Sequence, residues 1–145
     1  MNAKTFDVVE TTIDDIHAAY RSGALTSKAL VQLFIDRIGA VDKAGPKLNA
    51  IISINPKALA AAEELDAEYA RTGKFKGPMH GIPIVVKDLD GMTEGDPYHG
   101  GSRHLKDLGY VADHDSYFHA KLKQAGAVII GRTNTPEFGL VPTTE

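Results

Sequence analysis

An α/β fold is what the sequence predicts, on three grounds. Two short β-branched runs, HGIPIVVKD at 80–88 and AVIIG at 127–131, are separated by a segment with helical periodicity. A third isoleucine-rich run, LNAIISIN at 48–55, precedes them, and amphipathic helical patterns flank all three. The balance of 43% hydrophobic and 24% charged residues over 145 positions is that of a folded domain, read here as one domain over 1–145.

The elements follow in order. Thr12 with Asp15 three residues on has the form of a capping box. Ile13, Ile16 and Tyr20 keep one helical face, and Gly23 supplies a left-handed stop, so a helix is expected over about 12–22. Thr26 or Ser27 caps a second helix over 27–42, in which Leu30, Phe34, Ile38 and Val41 recur at helical spacing before Gly45 and Pro46. Residues 49–54 read as a strand closed by Asn55-Pro56. These two residues are well placed as cap and first position of a third helix over 56–72, which stops at Gly73. Residues 82–87 are the second strand, followed by a loop carrying Gly91, Gly95, Pro97, Gly100 and Gly101. Asp115 or Ser116 caps a helix over 116–125 that carries Phe118, Leu122 and Ala125, and 127–131 is the third strand. Strand, helix, strand points to a right-handed crossover between parallel strands. Thr135-Pro136-Glu137 opens one more helical turn. There is no internal repeat and no low-complexity tract.

Composition narrows the function. Sixteen Lys and Arg against nineteen Asp and Glu, mixed along the chain, give a net charge of -3 and no basic block, which argues against a nucleic-acid partner. No apolar stretch approaches the ~20 residues of a membrane span, and MNAKTFDVVE lacks the apolar core of a secretion signal. With no cysteine, disulfides and thiolate sites are excluded and a reducing, cytoplasmic setting is expected.

Among residues that can carry chemistry, Lys87 stands out because it ends an apolar strand, the position where open α/β sheets hold their ligands. A lysine there has two readings. Its amine snorkels to a surface ion pair, or an apolar setting disfavours the ammonium and makes a base of it. Asp88 would oppose the second reading on the same side, but neighbours in extended chain point to opposite faces. Two histidine pairs, His99 with His104 and His114 with His119, share a spacing of five, which is not the i, i+4 spacing of helical zinc sites, so no metal is expected. GKFKG at 73–77 lacks the P-loop pattern, and Ser102 in GGSRHL reads as a loop serine before it reads as a nucleophile partnered by Lys87.

These stretches together resemble the amino-terminal part of the amidase signature family of serine hydrolases. GPMHGIPIVVKD at 77–88 is similar to the family's lysine-bearing strand and ADHDSYFHAKLKQAGAVIIGRTNTPEFG at 112–139 to the helix and strand after it. SGALTSKALVQLFIDRI and GPKLNAIISIN are similar to its opening helices and first strand. The resemblance implies a mixed sheet flanked by helices, of which this chain would hold only the amino-terminal part. It implies hydrolysis of small-molecule amides by a serine nucleophile, a second serine beside a cis peptide bond and a lysine, without cofactor. Lys87 matches the lysine. The glycine- and serine-rich segment that carries both serines has no counterpart before Glu145, and LDGMTEGDPYHGG departs from the usual continuation after the lysine and aspartate. The expectation is therefore a chain incomplete by itself, which docks to the missing downstream portion, to a partner carrying the serines, or as a homo-oligomer.

Overall fold

The structure is a computed structural model in which residues 6–140 are described. Helix α1 spans Ile13–Ser22 and starts as the sequence expects: the Thr12 side chain accepts from the Asp15 amide, Asp15 reaches back to the Thr12 amide, and Gly23 closes the helix at φ 73°. Ile16 and Tyr20 are buried, whereas Ile13 stays exposed. Helix α2 spans Ser27–Arg37, with Thr26 as its cap. The helix expected to run on to 42 instead widens into a π-helical turn over Ile38–Lys43. That wider turn leaves the Asp42 carboxylate accepting from the amides of Ala50, at 2.7 Å, and Ile51, so it receives the chain as strand β1, Ile51–Ile54, begins.

Helix α3 spans Ala58–Thr72 rather than starting at Pro56. Asn55 caps a turn, not the helix: its side-chain oxygen accepts from Lys57 N at 2.9 Å while its amide donates to the Ile129 carbonyl at 2.8 Å. Strands β2, Pro83–Lys87, and β3, Val128–Thr133, complete a sheet of order β1-β3-β2. β2 and β3 are parallel as expected, but β1 is antiparallel to β3, so the sheet is mixed. Between β2 and β3 lie a five-residue helix α4, Arg103–Asp107, which has no periodic signature in the sequence, and α5, Tyr117–Gln124, capped by Ser116. Asp115 accepts from Glu94 N and pairs with Lys123. On α5, Phe118 is exposed and His119 fully buried. A single 3₁₀ turn, Glu137–Gly139, stands where the last helical turn was expected.

Two apolar clusters meet at α2. Leu30 packs with Ile16, Tyr20, Leu25 and Ile82, while its neighbour Val31 packs with Ala58, Ala62, Leu65, Val128 and Ile130, so one helix seals both α1 and the sheet. Central β3 is buried from Val128 to Arg132. Its Gly131 lies opposite Ile54 on one side and Val85 on the other, and a Cβ there would meet the Ser53 carbonyl oxygen at 2.4 Å. Only a residue without a side chain lets β1 close on β3 at that point.

Candidate active site

Lys87 ends β2 at the carboxyl end of the parallel pair, opposite Thr133 of β3. The strand before it is not the enclosed apolar slot that the sequence suggests. Among the described residues β2 pairs with β3 alone, and its faces alternate: Val86 is buried, whereas Val85 is 43% exposed and Lys87 is exposed on the same side as Val85. The Lys87 amine makes no ion pair among the described residues; it donates to the Asn134 carbonyl at 2.9 Å. Its main chain is held too. Lys87 N donates to Asp90 Oδ2 at 3.1 Å and Asp90 N returns to the Lys87 carbonyl at 3.0 Å.

Asp88 is fully buried. Its carboxylate accepts from the amides of His99 and Gly101, both at 3.1 Å, which pulls the far end of the glycine-rich loop back onto the strand end. Gly101 fits because it has φ 73° and no side chain: a Cβ would lie 2.6 Å from the Thr135 carbonyl oxygen. The folded-back loop and the segment after β3 border an open cavity of about 440 Å³ lined by Asp88, His99, Gly101, Ser102, Arg103 and Asn134, with Ile52 of β1 on its wall. Asn134 connects it to Lys87. Ser102 is buried at the start of α4, and the described hydrogen bonds take the Lys87 amine to Asn134, not to Ser102.

The histidine pairs separate. His99 lies 3.9 Å from Asp88, and His104 is exposed on α4. His114 sits against Asp113 at the surface, whereas His119 is buried with Nδ1 at 2.8 Å from the Met92 carbonyl and 2.9 Å from Thr93 Oγ1. A carbonyl only accepts, so Nδ1 carries the proton, and burial holds this imidazole below the ordinary histidine value. No group of three or more metal-ligating side chains occurs among the described residues.

Sequence reading missed the residue at the centre. Arg132, on β3, has no exposed surface. Its Nε donates to Asp96 Oδ2 at 2.8 Å, Nη1 to the Gly91 carbonyl at 2.9 Å and Nη2 to Thr93 Oγ1 at 3.3 Å, and Nη1 lies 4.0 Å from Asp88 Oδ1. Burial pushes the Asp96 carboxyl above the usual carboxylate range, with the Arg132 charge pulling it back. The available signal was an arginine directly following the uninterrupted apolar run AVIIG, with several acids in the loop before it.

The amidase family model matches residues 29–145. An indoleacetamide hydrolase of Bradyrhizobium diazoefficiens is 41% identical over 126 residues, covering 86% of this chain and 22% of that protein. The 6-aminohexanoate-cyclic-dimer hydrolase of Paenarthrobacter ureafaciens is 36% identical over 125 residues, covering 86% of this chain and 23% of its own length. Among solved structures, the peptide amidase of Stenotrophomonas maltophilia superposes with a TM-score of 0.81 at 38% identity, covering 90% of this chain and 26% of that one. The chain thus spans about a quarter of the length of these relatives. With a matching family model over most of its length and a close superposition on a solved amidase, the chain belongs to the amidase family.

Proposed function

We propose that Lys87 is the general base of a Ser-cisSer-Lys amide hydrolysis for which this chain supplies the lysine and neither serine. The observation that carries the reading is the placement of Lys87 at the carboxyl end of the parallel β2–β3 pair, its amine bound to a carbonyl that lines the 440 Å³ cavity, in a chain of the amidase family. In its neutral form the amine takes a proton from the bridging serine, which takes one from the serine attacking the amide carbonyl, and main-chain amides stabilise the oxyanion. The substrate is a small carboxylic amide, released as carboxylate and amine or ammonia. The reaction belongs in the cytoplasm, a placement supported by a chain without cysteine and, among the described residues, without a helix long and apolar enough to cross a membrane.

Two measurements test this. The 145-residue chain incubated with aliphatic and aryl amides and a fluorophosphonate probe gives neither turnover nor serine labelling; either one would overturn its incompleteness. When the chain is joined to the serine-bearing remainder of the peptide amidase, Lys87→Ala lowers kcat/KM at least a hundredfold, the lower end of the usual range of about 10²–10⁴ for general acid-base catalysis. Retention of activity in that variant would remove Lys87 from the mechanism.

A second reading, a non-catalytic module that docks onto a partner carrying the serines, is favoured by the open flanks of the sheet. Val85, Ile52 and Ile54 are 43%, 38% and 37% exposed, and an apolar groove of about 290 Å³ runs between Phe34, Ile38, Val41 and Val85. A monodisperse monomer by light scattering that binds no hydrophobic dye would end this reading.

A further inference from the structure

A guanidinium with no exposed surface is costly to bury unless its donors are used, and the partners of Arg132 share one origin. Asp96, Gly91 and Thr93, its three hydrogen-bond acceptors, lie in the loop that follows β2, and the same loop presents Tyr98, whose ring centre is 5.4 Å from the guanidinium carbon. The arginine reaches out of β3 and is wrapped by the loop. A planar fork with five donors can satisfy acceptors in three directions at once, which an ammonium on a flexible stem cannot do in the same geometry.

The wrapping ends at Lys87. Arg132 is the register partner of Val86, one residue before the lysine. Asp90 closes both main-chain groups of Lys87, and Gly91, the next residue, gives its carbonyl to Arg132. Just past the end of β3, Asn134, whose carbonyl accepts from the Lys87 amine, lies two residues beyond Arg132. The main chain of the lysine is therefore held by the residue next to an arginine contact, and its amine by a residue two positions from the arginine itself. We propose that Arg132 is a positioning residue for Lys87: by fixing Gly91, Thr93 and Asp96 it holds the turn after β2 so that the Lys87 amine stays on the Asn134 carbonyl at the cavity edge. The inference rests on the reading of Lys87 as the base.

Competitive acylation tests it without needing turnover. The folded chain is treated with limiting acetic anhydride at pH 8, and the acetylated fraction of each lysine peptide is read by mass spectrometry, with exposed Lys74 as internal reference. In Arg132→Lys, which keeps the charge and loses the fork, Lys87 acylates about threefold faster relative to Lys74, because an amine released from the Asn134 carbonyl is free to meet the reagent. General loosening of the fold also frees Lys43, whose amine donates to the Ile51 carbonyl, so a rise at Lys87 without one at Lys43 is the signature. A folded Arg132→Lys with an unchanged or lower Lys87 to Lys74 ratio overturns the proposal. If that variant does not fold, Thr93→Val and Asp96→Leu each remove one acceptor; a smaller selective rise in either supports the clamp, and none in both overturns it. Failure of the base reading would show instead as hydrolysis surviving Lys87→Ala, whatever the acylation ratio.

Discussion

Two buried regions of this chain, each containing a histidine, are built on opposite principles. Around α1 the interior is aromatic: His80 stacks on Phe75 with ring centres 4.8 Å apart, Tyr20 donates its hydroxyl to the Gly81 carbonyl at 2.9 Å, and His17 Nε2 lies 3.0 Å from the His80 carbonyl. Under the glycine-rich loop the interior is charged, with Asp88 and Asp96 facing Arg132. The histidines mirror the difference. His80 Nδ1 accepts from Lys76 N, so its proton is on the other nitrogen, while His119 Nδ1 faces a carbonyl and carries the proton there. In the first region each side chain packs against several others and the polar tips serve the main chain. In the second, Arg132 donates to three acceptors of one loop and Asp88 accepts from two of its amides. The aromatic region tolerates the loss of a member as a cavity; the charged one turns such a loss into uncompensated buried charge.

The sharpest way to break the comparison is to remove a central member from each region. Arg132→Met leaves Asp88 and Asp96 without their counter-charge and costs about 3–5 kcal/mol in urea unfolding, enough to unfold a marginal chain. Leu30→Ala, in the apolar region, costs about 2–4 kcal/mol. A clearly larger loss for Leu30→Ala would mean that packing dominates both regions.

Acidification sharpens it next. Burial lowers His80 and His119 below the ordinary histidine value, the neighbouring His17 adding to the effect on His80. The unfolded chain then binds protons first as pH falls, so the stability these groups contribute is present above about 6.5 and is lost progressively below it. Asp96 runs the other way. Its raised folded value makes the native state the better proton acceptor in the acid range, offsetting part of the loss in the charged region alone. Melting temperature measured from pH 7.5 down to 5 therefore falls, and falls less in both His80→Gln and His119→Gln. A flat profile would show that neither imidazole is held neutral by the fold.

The smallest effect is local. Thr26 Oγ1 accepts from Ala29 N at 3.1 Å, but the Asp66 carboxylate from α3 also serves the start of α2, through Ser27 N at 2.7 Å and Lys28 N at 2.9 Å. Thr26→Ala costs about 1 kcal/mol. A much larger loss would show that Asp66 does not share the cap.

What the sequence makes legible follows the same division. Thr12, Ile16, Tyr20 and Leu30 act over three or four residues, a range in which spacing carries the information, and the first three helices and the strand ending at Lys87 can be read from it. Asp88 turned away from Lys87 is legible from strand alternation alone. The exposed edge of β2 is not, because it depends on the number of strands beside it. Arg132 finds acceptors about 40 residues back in the chain, at separations no local pattern encodes. The π-turn at Ile38–Lys43 and the five-residue α4 are too short to leave a periodicity of their own.

Gly131 sets a limit of another kind. Every substitution there adds at least a carbon where the Ser53 carbonyl already stands, so sequence drift at this position is barred whatever the protein acts on. A screen that randomised the chain and selected only for solubility would return this glycine together with the apolar core. Invariance at position 131 would therefore report on the closure of a seam and carry no news about catalysis.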